Sequence, residues 1–412
     1  MTASCRNCEA PLTETFADLG ISPVSNAFIS PQHLGRGEMF YPLHAKVCGQ
    51  CFLVQLDSEQ QADLHFHEDY VYFSSFSSSW LEHARQYVES VTARFGLGAG
   101  SHVIEIASND GYLLKNFVAR QIPCLGIEPT ANTAEAARQL GVPTWEKFFG
   151  EATARELVAQ NLQADLMAAN NVFAHVPDIH DFVKGIALAL KSSGTMTIEF
   201  PHLLRQIEQC QFDTIYHEHY SYYSLLAVEN ILSRHGLEVF DVEELGTHGG
   251  SLRVYLRHRG GANVAAPGAG LAKVRADEAA AGLHRVETYR GFQARVEQLK
   301  DGLLAFLLQA RRDGKTVVAY GAPAKGNTLL NYCGVKSDLI AYTVDASPHK
   351  QHKFLPGTRL PVYAPAKLRE TKPDLVLILP WNLSAEITAQ HAYIREWGGR
   401  FVVAVPRIEV LG

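Results

Sequence analysis

Within nine residues, Tyr216-His217-Glu218-His219-Tyr220-Ser221-Tyr222-Tyr223-Ser224, the chain places two histidines, one carboxylate and six hydroxyl side chains. Histidine exchanges its proton near neutral pH, a carboxylate can tune or orient it, and a phenol can donate to an oxyanion. That set suits enolisation, the removal of a proton beside a ketone. A metalloprotease-like H-E-x-x-H reading fails, because position 221 is serine. In an extended segment, alternation would put His217 and His219 on one face and Tyr216 and Glu218 on the other. A tyrosine-rich surface turn with solvated histidines is the plainer alternative.

The paired cysteines Cys5-x2-Cys8 and Cys48-x2-Cys51 form a second reactive group. A C-x2-C turn aims two thiolates at one tetrahedral ion, and a second such turn completes the shell. Gly49 eases the turn of the second pair. Four protein ligands leave no position for water, so this Zn2+ reads as structural rather than catalytic. A redox role is disfavoured, since neither pair opens a helix after a βαβ strand. Two unrelated turns with buried thiols are the remaining alternative. Cys124, Cys210 and Cys333 read as isolated core thiols.

Alternating apolar strands and helices must position these groups. Residues 1–68 show little helical periodicity and read as the metal-stapled module. A helix over Trp80–Phe95 ends at Gly96 and Gly98. Strands over His102–Ala107, Pro123–Glu128, Asp165–Ala169 and Thr195–Phe200 alternate with helices over Tyr112–Arg120 and Thr133–Leu140. This βαβ series implies a mostly parallel sheet with flanking helices. Ala262–Gly270 reads as a connector, and Leu271–Arg312 as one long helical stretch. A second series follows, with strands over Thr316–Tyr320, Leu339–Val344, Leu375–Leu379 and Phe401–Val405 and a helix over Asn327–Tyr332.

In the first series, Glu105-Ile106-Ala107-Ser108-Asn109-Asp110-Gly111 ends a strand in a small polar turn before a helix, where a ligand can approach the backbone. Glu128, at the next strand end, can bind a ribose diol. With one glycine left, the turn is not G-x-G-x-x-G, which disfavours a nicotinamide pyrophosphate. S-adenosylmethionine has no phosphate and suits the loop better. A structural βαβ turn is the alternative. Asn170, Asn171 and His175 follow the next strand, where donor and acceptor would meet.

In the second series, Gly321-Ala322-Pro323-Ala324-Lys325-Gly326-Asn327-Thr328 nearly fits a phosphate loop, but Asn327 stands where the Lys should be. The turn still makes an anion site, with Lys325 available. Lys350, His352 and Lys353 are diphosphate candidates, or else a solvated basic loop. Asp345 is similar to a ribose-binding acid.

Composition sets the frame. The chain has 412 residues, enough for two or three domains, and its 47% apolar and 19% charged content is that of an ordinary globular protein. Its net charge of −6 argues against a nucleic-acid partner. No apolar run nears the roughly 18 residues of a membrane span. MTASCRNCEA lacks the apolar stretch of a secretory signal, so the expected setting is the cytoplasm.

The paired C-x2-C motifs, E-I-A-S-N-D-G, N-N-V-F-A-H-V-P-D, Y-H-E-H-Y-S-Y-Y-S and the C-terminal G-A-P-A-K-G-N-T-L-L together resemble the deoxysugar C-methyltransferases. These enzymes methylate carbon on nucleotide-linked 4-keto-6-deoxysugars. The resemblance spans essentially the whole chain. It implies a zinc-binding domain over 1–68, a class I methyltransferase Rossmann-like domain over 69–260, and a second Rossmann-like α/β domain over 261–412. It makes His219 the general base, with Tyr216, Glu218 and His175 as active-site partners. Tyr216 or His175 would hold the C4 oxygen, and Glu218 would position sugar or base. Glu105, Ala107, Asn109, Gly111, Glu128, Asn170, Asn171 and Tyr72 would bind S-adenosylmethionine. Tyr70, Tyr222, Lys325, Asn327, Lys350 and Lys353 would line the sugar-nucleotide pocket. The implied substrate is TDP-linked and methylated at C3, and the implied enzyme is a monomer. Methylation at C5, an NAD(P)-dependent sugar oxidoreductase and a non-enzymatic zinc scaffold are the competing readings.

Overall fold

The computed structural model describes residues 3–57, 73–263 and 266–411. Tyr70 and Tyr72, expected at the two pockets, lie outside the described residues. An N-terminal antiparallel sheet is built from β1 (Glu14–Ser22), β2 (Tyr41–Val47) and β3 (Val54–Leu56). In β2, Leu43, Ala45 and Val47 alternate inward, the period of a strand with one buried face. Phe16 on β1 stacks at 4.3 Å on Phe292 of the helix Phe292–Arg312, so this sheet shares a core with the C-terminal domain. The cysteine turns pack instead into the core of the middle domain.

The middle domain contributes β4 (Val103–Ile106), β5 (Cys124–Ile127), β6 (Thr144–Trp145), β7 (Ala164–Asn170), β8 (Leu190–Pro201), β9 (Ser221–Tyr222), β10 (Leu237–Leu245) and β11 (Ser251–His258). All but β9 form a seven-stranded sheet in the order β10-β11-β8-β7-β4-β5-β6. β4 to β8 pair in parallel, and β11 and β10 add antiparallel. The order reverses between β4 and β7, which opens a crevice at their carboxyl ends. β9 leaves this sheet and pairs with β3, becoming the fourth strand of the N-terminal one.

The third sheet comprises β12 (Val317–Tyr320), β13 (Thr343–Val344), β14 (Val362–Tyr363), β15 (Leu375–Ile378), β16 (Arg400–Val403) and β17 (Glu409–Leu411). Its order, β14-β13-β12-β15-β16-β17, reverses between β12 and β15. The turns after those two strands, carrying Lys325 and Trp381, therefore face a common crevice.

Several elements differ from expectation. The stretch Leu271–Arg312 is three helices, Ala269–Ala281, Val286–Arg290 and Phe292–Arg312, because Gly282 takes a left-handed φ of 79° that ends the first. The helix after β4 shrinks to Lys115–Val118. The Leu339–Val344 strand shrinks to β13, since the N–H groups of Leu339 and Ile340 donate to Lys336 O in a turn. The antiparallel strands β10, β11 and β17 depart from a purely parallel pattern. Among the described residues, no helix is long and apolar enough to cross a membrane.

Phe16 is completely buried where the N-terminal sheet meets the C-terminal domain. Phe16→Ala is expected to cost about 3–5 kcal/mol in chemical denaturation, the range for a truncated core aromatic.

Candidate active site and metal centre

Cys5, Cys8, Cys48 and Cys51 bring their Sγ atoms within 4.8 Å of one another. Each pair sits in the same turn: Glu9 N–H donates to Cys5 O at 2.8 Å, and Phe52 N–H donates to Cys48 O at 3.0 Å. The four sulfurs suit a tetrahedral Zn2+, whose Zn–S bonds of about 2.3 Å require such a cluster. Gln55 Nε2 donates to Cys5 Sγ at 3.1 Å and Gln50 N–H to Cys48 Sγ at 3.4 Å, bonds that favour thiolates. With all four positions taken by protein, the metal is structural.

The turn after β4 lines the crevice of the middle domain. Ala107, Asn109 and Gly111 take left-handed φ values of 52°, 49° and 77°, so Ala and Asn do what glycine would do more cheaply. Of the three, the sequence marks only Gly111 for such a conformation. Glu128, on the end of β5, accepts Asn109 N–H at 2.9 Å and Thr130 N–H at 3.0 Å, and so braces the turn. Ser74 N–H donates to Asn109 Oδ1 and Ser75 N–H to Asp110 Oδ2, capping the turn from outside. Burial raises the Glu105 carboxyl well above the ordinary range, although Tyr112 hydrogen-bonds to it. Asp110 Oδ1 and both polar atoms of the Asn170 side chain are buried without a partner among the described residues. Unsatisfied groups at strand ends fit a ligand carrying its own polar handles, as S-adenosylmethionine does. Asn171, at a left-handed φ of 56°, donates its N–H to Glu199 O beside them.

The Tyr216–Ser224 segment is not extended at its start. His219 N–H donates to Tyr216 O at 2.9 Å, and this turn corrects the alternation reading by putting Tyr216 and His219 on the same side. The Tyr216 hydroxyl lies 2.7 Å from His219 Nε2, and His219 Nδ1 lies 2.9 Å from Thr214 O. Only a protonated Nδ1 can pair with a carbonyl, so Nε2 holds the lone pair and accepts from the phenol. Burial, with His175, His248 and Lys325 nearby, pushes His219 well below the ordinary histidine value. The His175 ring stands 4.7 Å away and nearly perpendicular, is hydrogen-bonded to the Glu218 backbone, and is lowered to about 4 by burial. Tyr222 presents an edge at 6.1 Å. His217 points elsewhere, with Nε2 on Pro42 O and its ring against Tyr41.

Glu218 is buried, and burial raises it to about 7. Asn26 Nδ2 donates to both of its oxygens, and the Lys350 charge opposes the rise. Lys325 enters from the C-terminal domain, donating to Asn382 Oδ1 at 2.8 Å and lying 4.5 Å over Trp381. Trp381 Nε1 donates to Asp213 Oδ2, a fully buried carboxyl raised to about 6. Asn327 Nδ2 is spent on Ser25 O, and Lys350 donates to Ala322 O. Lys353 is half-buried beside the Ile29–Phe354 bridge. Asp345 accepts the N–H groups of Ala322 and Ser347, and so braces the turn after β12 as Glu128 braces the turn after β4.

Sequence reasoning missed Asn26, Asp213, Trp381 and His248. His248 has a left-handed φ of 55°, followed by Gly249 at 90° and Gly250 at 114°. A Cβ on Gly249 would come within 2.4 Å of the Trp381 ring, so the sequence Thr-His-Gly-Gly was the legible signal.

Three family profiles tile the chain. A zinc binding domain matches residues 5–66, a methyltransferase domain 80–242, and a C-methyltransferase C-terminal domain 246–406. The chain is also 33% identical to the C-methyltransferase NovU of Streptomyces niveus, over 99% of this chain and 96% of that one. It belongs to this C-methyltransferase family. S-adenosylmethionine is accordingly its methyl donor, and zinc its structural metal. A solved S-adenosylmethionine-dependent methyltransferase from Clostridium acetobutylicum is 11% identical, covering 43% of this chain and 92% of that one with a TM-score of 0.35. Magnesium protoporphyrin IX methyltransferase from Synechocystis, with bound S-adenosylmethionine, gives 14%, 42%, 78% and 0.31.

Gly111→Ala in this C-methyltransferase forces a Cβ onto a left-handed residue and to within 3.2 Å of Ala137. Its affinity for S-adenosylmethionine is expected to fall about tenfold by calorimetry, the equivalent of the 1–2 kcal/mol conformational cost.

Proposed function

We propose that this enzyme methylates C3 of a nucleotide-linked 4-keto-6-deoxysugar, TDP-linked, through an enolate. The supporting observation is the fixed pair of His219 Nε2 and Tyr216 hydroxyl, 2.7 Å apart and half-buried. A base and a hydroxyl donor at that separation match two neighbouring sites of an α-ketone, the C3 hydrogen and the C4 oxygen. When the sugar enters, Tyr216 turns its proton toward the C4 oxygen and frees Nε2. His219 removes the C3 proton, and the electron pair of that C–H bond forms the enolate. The Thr214 carbonyl, already accepting from Nδ1, stabilises the imidazolium that results. S-adenosylmethionine supplies the electrophilic methyl, and the C3–methyl bond forms as its sulfur–methyl bond breaks. Lys325, a half-buried cation near His219, adds positive potential where the oxyanion develops. Glu218, joined to Asn26 and facing Lys350, orients the sugar, while Lys350 and Lys353 lie toward its diphosphate.

C5 is the alternative position, since it also flanks the ketone. Turnover of TDP-4-keto-2,6-dideoxyglucose with [methyl-13C]S-adenosylmethionine tests the choice directly. The label is expected on a carbon coupled to C3; a label coupled to C5 would overturn the position, and its absence the substrate class. His219→Ala is expected to lower kcat at least about 10³-fold, the scale of a lost general base, with S-adenosylmethionine affinity unchanged.

The pH dependence has a definite sign. A histidine held below its ordinary value stays unprotonated at neutral pH and loses activity only on further acidification. In Glu218→Gln, where the carboxyl near 7 is gone, the acid limb of kcat/KM belongs to His219 and is expected below pH 6.5. A limb at or above 6.5 would contradict a buried base.

A further inference from the structure

One residue inside the first zinc turn reaches the catalytic segment. Arg6 lies between Cys5 and Cys8, and its backbone N–H donates to Gln55 Oε1 at 2.9 Å. Its Nη1 donates to Leu56 O at 2.8 Å and to Tyr220 O at 3.1 Å, with the guanidinium 5.7 Å over the Tyr220 ring. Tyr220 directly follows His219. Its carbonyl also accepts Leu56 N–H at 3.0 Å, and its own N–H donates to Ala174 O at 2.7 Å, beside His175. Gln55 closes the circuit. Its side chain donates to Cys5 Sγ, and its backbone pairs with Ser221 in the β3–β9 ladder.

We propose that Arg6 is a positioning residue for methyl transfer, carrying the geometry of the zinc turn to His219 through the Tyr220 carbonyl. The argument rests on the assignment of His219 as base. Lysine cannot reproduce the function fully, because the two N–H bonds of the planar Nη1 point at the Leu56 and Tyr220 carbonyls in fixed directions, whereas an ammonium group rotates freely on a flexible stem. The metal holds the Cys5–Cys8 turn, the turn holds Arg6, and Arg6 with the short β9 ladder holds Tyr220. A misplacement of about 1 Å at a catalytic group can cost roughly 10²-fold in rate, which sets the scale of the effect.

The test uses the full-length, zinc-loaded protein with Arg6→Met and Arg6→Lys. Arg6→Met is expected to keep its zinc content by elemental analysis and its S-adenosylmethionine affinity within about twofold by calorimetry. Its kcat is expected to fall about 10- to 100-fold with KM for S-adenosylmethionine unchanged. Peptides spanning residues 214–223 are expected to exchange amide hydrogen about tenfold faster in the ligand-free protein, by mass spectrometry. Arg6→Lys should recover part of both losses. Wild-type kcat and exchange in Arg6→Met would overturn the proposal. So would loss of zinc or of S-adenosylmethionine binding in parallel with kcat, which would make Arg6 a support of the fold alone. The exchange reading needs no substrate and stands whichever residue takes the proton. A wrong base assignment would show separately, as an active His219→Ala.

Discussion

The ladder between β9 and β3 joins the Tyr216–Ser224 segment to the zinc-bearing sheet, and the rest of the candidate site is arranged around that join. Two residues of strand do not hold themselves in place. The segment is therefore gripped from other sides as well. Tyr220 and Tyr223 tie it to the middle domain through Ala174 O and the His202 bridge. Thr328 donates to Ile215 O and Trp381 to Asp213 from the C-terminal domain. Asn26 reaches Glu218 from the N-terminal module. Each unit supplies a wall, and a reactive pair fixed this way loses little entropy when the acceptor arrives.

Electrostatics follow from the same burial. Three histidines of the candidate site, His175, His219 and His248, are all driven toward the neutral form, while nearby Lys325 has its own value lowered. Asp213 and Glu218 are raised by the same desolvation. The same desolvation thus favours the neutral imidazole of His219, the form the proposed mechanism needs. Glu199, by contrast, is paired with Arg253 and His83, and these partners hold its carboxyl below the ordinary range despite its burial.

The chemistry-bearing residue types were legible in sequence because their spacing is local. The cysteine turns and the strand-end position of the Ala107–Gly111 turn needed only neighbours along the chain. What was not legible depended on distant pairing or on backbone sign. Nothing near Ser221 announces a two-residue strand that adds to a sheet beginning some 200 residues earlier. Alternation separated Tyr216 from His219, whereas a single turn hydrogen bond unites them. Ala107, Asn109 and His248 adopt conformations that sequence reasoning reserves for glycine, and surrounding contacts impose them. The interruption at Gly282 was readable as a helix stop, but the Ala-rich run before it masked it.

The most direct measurement is solvent exchange into the acceptor without methyl transfer. The enzyme would be incubated in D2O with TDP-4-keto-2,6-dideoxyglucose and S-adenosylhomocysteine, and the sugar followed by NMR. Deuterium is expected at C3, introduced by the wild type and not by His219→Ala. Equal exchange by both proteins, or none at any carbon next to the ketone, would contradict a histidine-driven enolisation.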